Sequence, residues 1–305
     1  MAAEGDELMT LFLDDGDVRR ALDMSELIAA MRDALVAYSA GRVEQPVRQA
    51  LAQNNGFLLV MPASGDAMGC KLVTFYPGNA EHGLPTHMAM IVLFDSGTGM
   101  PLAVMDGGRI TEMRTAAVSA VATDVLAAPD ARILAILGSG AQARSHVEAL
   151  RHVRSFSEIR VWSRTPGHAE AFAADIGARA LSADDAVRGA DVVVTATSAR
   201  APVLQGAWLK PGCHVNAVGA PRPDWRELDD AVMANVVIVD SRAGAMAESG
   251  DVRLSGARIH AELGEILAAT QPFSAAETTV FKSLGMAIED VAAAKLVYDR
   301  ITRSD

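Results

Sequence analysis

The chain is poor in cysteine, in positive charge and in long apolar runs, and each shortage removes a class of protein. Only Cys70 and Cys213 occur in 305 residues, far apart and outside any C-x-x-C pair. Neither a disulfide framework nor a thiolate metal site is expected, and both are read as plain buried thiols. Lys and Arg number 27 against 38 Asp and Glu, a formal net charge of −11, which argues against nucleic acid or an anionic membrane as partner. Any anion the protein binds must then meet positive charge gathered locally. No segment approaches the uninterrupted apolar length of a membrane span, and the acidic start from Met1 to Glu7 lacks the basic region and apolar core of a secretory leader. The expectation is a cytoplasmic protein. Internal repeats and low-complexity segments are also missing, and His82 and His87 belong to no H-E-x-x-H or other ligand set, so no metal is expected.

What is present is a local pattern with a mechanism. Ile133-Leu134-Ala135-Ile136-Leu137 runs into Gly138-Ser139-Gly140-Ala141-Gln142-Ala143, an apolar strand that ends in a glycine turn and opens a helix. Gly138 suits the tight turn, Gly140 lets a pyrophosphate approach the backbone, and Ala143 allows the helix to pack on the strand. The free N–H groups and positive dipole end of that helix then hold phosphate. A dinucleotide site is predicted, preceded by well over a hundred residues of another domain.

A 50% hydrophobic content fills a sizeable core, and two domains are the natural expectation at this length. Leu27, Met31, Leu35 and Tyr38 recur at helical spacing behind a Ser25 cap. Short β-rich runs punctuated by Gly and Pro follow from Gln45 to Val104, with a hairpin at Phe94 to Gly99, so the first domain is α+β. Thr111 to Leu126 is Ala-rich and helical. Beyond the glycine turn, the strands Ile159 to Trp162, Ala190 to Thr195, Cys213 to Val218 and Val236 to Val239 alternate with helical stretches, the rhythm of a doubly wound parallel sheet. The expected boundaries are 1–125, completed by 276–305, for the α+β domain and 126–275 for the dinucleotide-binding domain. Thr279 to Gly285 is expected to feed no further strand of the parallel sheet and to return, with the helix Ala287 to Ile301, to the first domain.

The end of the second parallel strand bears on the cofactor. About twenty residues past the turn, an NAD enzyme places Asp or Glu for the ribose 2′-hydroxyl, whereas an NADP enzyme places small polar residues and Arg for the 2′-phosphate. Here the strand ends in Ser163-Arg164-Thr165, with no carboxylate and a guanidinium fork. NADP(H) is preferred, with NAD(H) possible.

Longer matches carry a resemblance. Gln45-Pro46-Val47-Arg48, Cys70-Lys71-Leu72-Val73-Thr74-Phe75-Tyr76, Ala103-Val104-Met105-Asp106-Gly107, Arg114-Thr115-Ala116-Ala117-Val118-Ser119-Ala120, Val215-Asn216-Ala217-Val218-Gly219-Ala220, Arg222 through Asp230, Glu248-Ser249-Gly250-Asp251-Val252 and Val280 through Ala287 follow in order between about Val43 and Asp299. The chain resembles the ornithine cyclodeaminase/mu-crystallin family, and within it the mu-crystallin (ketimine reductase) branch. The resemblance implies an α/β protein, with a Rossmann doubly wound parallel sheet inserted between two segments of an α+β substrate and dimerisation domain, and a homodimer.

It also implies roles. Arg48, Lys71 and Arg114 match the basic residues that bind the substrate carboxylate, a task suited to a planar fork and a point charge. Lys71 lies within an apolar strand, where an unpaired ammonium is costly, so a ligand anion is the expected partner. Thr115, Ala141, Gln142, Thr197, Val218, Ala220 and Ser283 match cofactor-contacting positions. His87 is a candidate proton source, its pKa class lying near neutrality, with a structural histidine as the equal alternative. Glu262 and Glu265 resemble a family segment but read as solvated helix residues.

One departure discriminates. Cyclodeaminases carry an Asp in Val-Gly-Gly-Asp-x-Pro-Gly-Lys, and here Pro221 falls at that place, with Asp224 displaced into a turn or cap role. Proline cannot move a proton, so deamination through this position is not expected. The leading expectation is an NAD(P)H-dependent reductase of cyclic imino acids. Alternatives are a residual cyclodeaminase, an alanine dehydrogenase-like oxidoreductase, or a mu-crystallin-like protein that binds NADPH and a small ligand without turnover.

Overall fold

Period-two alternation in the early strands and unbroken apolar runs in the later ones produce two different sheets. The computed structural model describes residues 9–270, 273 and 277–304, so the acidic start and the expected boundary at 275 and 276 lie outside the described residues. Contacts divide the chain into two units. One holds the described residues up to Asp23, Val43–Thr111 and the chain from Ala287 onward; the other holds Met24–Arg42 and Glu112–Met286.

In the first unit, β1 (Leu11–Leu13), β2 (Gln49–Gln53), β3 (Gly56–Ser64), β4 (Met68–Phe75), β5 (His87–Phe94) and β6 (Pro101–Asp106) form one sheet in the order β1-β6-β5-β4-β3-β2. All neighbours are antiparallel except β1, which runs parallel to β6. Helix Ala287–Ser304 covers the face that carries Met61, Lys71, Val73, Ile91 and Leu93. Register places Leu51, Leu72, Met90 and Phe12 on the opposite face, where they stay exposed.

In the second unit, β7 (Ile133–Leu137), β8 (Glu158–Trp162), β9 (Arg179–Ala180), β10 (Val192–Thr195), β11 (His214–Ala217), β12 (Val236–Val239), β13 (Ile259–Glu262) and β14 (Thr279–Lys282) make a parallel sheet ordered β13-β12-β14-β11-β10-β7-β8-β9. The order reverses between β7 and β10, and ligands of such sheets bind beyond the carboxyl ends of the strands at that point. Residues of β10, β11 and β14 are buried throughout, as strands covered on both faces must be.

Three expectations are revised here. Thr279–Lys282 is not outside the parallel sheet but sits in its interior between β11 and β12; four residues are too few to show a strand by periodicity. Helix Met24–Ser39 groups with the second unit rather than the first, because Ser39 donates to Glu262 Oε2 at 2.8 Å and Tyr38 Oη meets Ser241 Oγ at 2.7 Å. Ser25 lies inside that helix, not at its cap, and its hydroxyl contacts His152 Nδ1 at 3.1 Å.

A polar chain crosses the second unit's core without any ion. His146 Nδ1 faces the Gln142 carbonyl at 2.7 Å, so it carries the proton, and Nε2 accepts from Ser119 Oγ at 2.9 Å. Asn216 Nδ2 donates to Thr123 Oγ1 at 2.9 Å, which leaves its Oδ1 to accept from His214 Nε2 at 3.3 Å, while His214 Nδ1 meets Thr279 Oγ1 at 2.8 Å. Desolvation pushes His146 down to about 4 and His214 to about 3, so both rings are neutral. Cys213, also buried, is pushed up to about 12, an inert thiol.

Candidate active site

The glycine turn after β7 is built as an anion cradle. Gly138 has φ +134°, its N–H donates to the Trp162 carbonyl at 2.8 Å, and a Cβ there would collide with the Ala196 carbonyl. Gly140 is the N-cap of helix Ala141–Arg151, makes no side-chain cap bond, and has open space where a Cβ would stand. The first-turn amides therefore point at room for an oxyanion. Ala141 is exposed at the start of that turn, and the buried Gln142 Oε1 has no hydrogen-bond partner among the described residues. These features fit a dinucleotide pyrophosphate.

The loop after β8 lies beside this turn. Ser163 Oγ accepts from Ser139 Oγ at 3.0 Å. Arg164 is exposed and has no ion pair among the described residues, unlike Arg160, which pairs with Glu158 at 3.0 Å. Thr165 is the N-cap of helix Pro166–Ile176 but leaves it without a side-chain cap bond. Pro166 has no N–H and the His168 amide donates to the Thr165 carbonyl at 3.0 Å, so the exposed Arg164 guanidinium is the main group here suited to an anion.

Three further loops follow β10, β11 and β14, and two buried carboxylates that were not singled out in sequence tie them down. Glu227 Oε1 accepts from Thr197 N at 2.7 Å and Thr197 Oγ1 at 2.5 Å, and its Oε2 accepts from Gly219 N at 2.8 Å. Burial raises its pKa, opposed by Lys282 and these donors. Val218 and Ala220 flank Gly219; Ala220 is buried with φ +52°, a costly left-handed conformation for a residue with a Cβ. Asp240 Oδ2 accepts from Leu284 N at 2.6 Å, Gly285 N at 2.7 Å and Ser283 Oγ at 3.3 Å. The Arg114 guanidinium packs against Gly285, where any Cβ would strike it. Arg114 and Thr115 are both buried on helix Gly108–Leu126, so Asp240 braces the loop on which Arg114 rests. Glu227 lies inside the quoted Arg222–Asp230 segment and Asp240 directly follows the apolar strand Val236–Val239, but their partners are too distant in the chain to be read.

In the first unit, Lys71 is 2% exposed and does not await a ligand for its counter-charge: Asp290 Oδ2 lies 2.5 Å from its Nζ, with Thr111 Oγ1 at 3.4 Å. The expected anion partner is thus corrected to a side chain of helix Ala287–Ser304, since a buried ammonium needs a permanent counter-charge for the fold to form at all. Arg48 is half-buried immediately before β2. His87 begins β5, stacks on Phe75 at 4.4 Å between ring centroids and meets Thr86 Oγ1 at 3.1 Å through Nδ1. Desolvation lowers its pKa below 6.5, so the ring is mainly neutral at pH 7.

Pro221 is exposed, and Asp224 is an exposed turn residue 3.8 Å from Arg222 Nε. Glu262 and Glu265 are not merely solvated. They form a capping box on helix Leu263–Ala268, and Glu265 pairs with Arg242 at 2.7 Å.

Comparison with known proteins identifies the family. The model of the ornithine cyclodeaminase/mu-crystallin family matches residues 9–305. The ketimine reductase mu-crystallin of Rattus norvegicus is 51% identical over 301 residues, 94% of this chain and 96% of that one. A delta(1)-pyrroline-2-carboxylate reductase of Bacillus cereus is 36% identical over 313 residues, with 95% and 96% covered. The solved structure of Thermococcus litoralis delta(1)-pyrroline-2-carboxylate reductase in complex with NADH and L-proline superposes with a TM-score of 0.90 at 37% identity, covering 97% of this chain and 98% of that one. An archaeal alanine dehydrogenase dimer with bound NAD gives 0.92 at 34% identity, covering 97% of each chain. The chain belongs to the ornithine cyclodeaminase/mu-crystallin family.

Proposed function

We propose that this chain is an NAD(P)H-dependent reductase of cyclic 2-carboxy imines, 1-pyrroline-2-carboxylate or 1-piperideine-2-carboxylate, giving proline or pipecolate. The observation that carries the reading is the open, uncapped glycine turn in a chain whose cyclodeaminase acid is replaced by Pro221. It offers a dinucleotide site without the carboxylate that deamination uses. The ketimine and pyrroline-2-carboxylate reductases among its relatives support the same reaction class.

Gly138, Gly140, Ala141 and Gln142 hold the pyrophosphate, and Ser163, Arg164 and Thr165 receive a 2′-phosphate, which favours NADPH over NADH. Thr115, Thr197, Val218, Ala220 and Ser283 complete the cofactor contacts. Bound there, the reduced nicotinamide supplies a hydride to the imine carbon. Arg48, Lys71 and Arg114 hold the substrate carboxylate, so the ring is oriented before reaction. His87 is the candidate proton source, and the desolvation that lowers its pKa makes the protonated ring, when formed, a ready donor to the ring nitrogen or a water beside it.

The exposed face of the first sheet, with Phe12, Leu51, Leu72 and Met90 aligned by register, supports a homodimer formed through that face. A cytoplasmic location accords with the composition; among the described residues no helix is long and apolar enough to cross a membrane. The decisive experiment is a panel of both cyclic imines with NADPH and NADH, run beside ornithine and pyruvate plus ammonia. Imine-dependent NADPH oxidation is expected, with negligible ammonia from ornithine. Efficient proline formation from ornithine, or cofactor binding without turnover of any imine, overturns the proposal.

A further inference from the structure

Glu227 stands, fully buried, between two loops assigned above to the cofactor. Thr197 follows β10 and Gly219 follows β11, neighbours in the sheet, and each presents a backbone N–H to a different oxygen of the one carboxylate, at 2.7 and 2.8 Å. Thr195 Oγ1 and Thr197 Oγ1 add bonds of 2.9 and 2.5 Å. One side chain thereby sets the spacing of two strand ends.

The surroundings leave it no alternative position. A Cβ on Gly219 would strike both the Thr197 carbonyl and the Glu227 carboxyl. Behind it, Asp251 Oδ1 accepts from Glu227 N at 2.9 Å and Leu228 N at 3.0 Å, and Asp251 Oδ2 lies 3.0 Å from Lys282 Nζ. Lys282 in turn donates to the Gly219 carbonyl at 2.5 Å. The Gly219 peptide is thus gripped from both ends, its N–H by the acid and its carbonyl by the lysine. Backbone N–H groups can only donate, and those of Thr197 and Gly219 sit on opposite oxygens. A carboxylate accepts on both sides, whereas an amide of the same shape turns an NH₂ toward one of them.

We propose that Glu227 is a positioning residue for the nicotinamide cofactor, holding Thr197 and the 218–220 loop at the separation the cofactor needs; the inference rests on the cofactor reading above. Wild type and Glu227→Gln are compared by titration with NADPH and NADH in the absence of imine, then by steady-state kinetics with each substrate varied. Circular dichroism and a thermal melt establish that the variant is folded. Cofactor affinity is expected to fall about tenfold or more, a loss typical of one bond to a charged group, with the cofactor KM rising in step and the imine KM at saturating cofactor near wild type. A residue that only stabilised the fold would lower Tm and leave the cofactor KM of the folded enzyme unchanged, and that result overturns the inference. A wild-type protein that binds neither dinucleotide overturns the functional proposal instead, so the two failures are distinct. Should Glu227→Gln not fold, Thr195→Val removes one donor from Oε2 at nearly constant shape. Faster amide exchange at Gly219 with a raised cofactor KM supports the proposal, and an unchanged KM sinks it.

Discussion

Each unit buries a lysine against an aspartate, yet the two pairs are built into the fold differently. Lys71 reaches from a strand to Asp290 on a covering helix at 2.5 Å, a meeting of two side chains. Lys282 lies 3.0 Å from Asp251, but it also donates to the Gly219 carbonyl, while Asp251 accepts two backbone amides and Glu227 adds a second carboxylate to the cluster. A pair of side chains is replaceable in principle by apolar groups of like volume. Charges that satisfy main-chain groups are not, because the amides and carbonyls stay when the side chains go. The first pair joins side chains of a strand and its covering helix, and the second also holds main-chain groups in place.

The largest expected effect tests that contrast directly. Lys282→Met leaves Asp251 and Glu227 buried without their cation and should destabilise by roughly 3–5 kcal/mol or prevent folding. Lys71→Met alone should cost a similar amount, but the double variant Lys71→Met with Asp290→Leu should recover most of it, whereas Lys282→Met with Asp251→Leu should recover none. Urea unfolding of the four variants decides the matter, and equal recovery in both would erase the distinction.

Activity sharpens it further. In the Lys71→Met, Asp290→Leu protein, regained stability should come without regained turnover, since the proposed carboxylate contact is still missing. Arg114→Ala, which removes the guanidinium packed on Gly285, should lower kcat/KM for imine about 10²-fold through misplaced substrate, with dinucleotide affinity little changed. Near-normal kcat/KM in both would show that these are structural charges.

Arg164 is the counter-example, a cation with neither burial nor ion pair among the described residues. Its replacement by Ala should leave Tm unmoved and weaken NADPH by up to roughly 1.5–3 kcal/mol, with much less effect on NADH. Equal losses for the two cofactors, measured by fluorescence titration, would remove it from phosphate recognition.

The ion-free chain through His146 and His214 should show itself only as a dependence of stability on pH. Their folded pKa values, about 4 and about 3, lie below the unfolded value of about 6.5. Unfolded chains then bind protons that the native state refuses. The stabilisation is complete above pH 6.5 and declines as pH falls toward 4, by up to about 1.4 kcal/mol per pH unit for each ring. Denaturant midpoints at pH 7, 6 and 5 should show this slope. His146→Gln should flatten it, and an unchanged slope would move the acid sensitivity elsewhere.

The sequence by itself determined what is local. Strand, glycine turn and helix from Ile133 to Arg151 are contiguous, so periodicity and turn chemistry were enough to place those elements, on which the proposed dinucleotide cradle rests, and the missing acid at Ser163 to Thr165 was visible for the same reason. Burial of Lys71 was legible from its apolar strand. Only the tertiary structure decided who answers each buried charge: Asp290 for Lys71, Asp251 for Lys282, and the amides of Thr197 and Gly219 for Glu227. It alone also inserted Thr279–Lys282 into the middle of the parallel sheet and grouped Met24–Ser39 with the second unit. The physical reason is range. Propensity and hydrophobic period act over a few residues, whereas a buried charge selects its partner by proximity in space, which no spacing along the chain encodes.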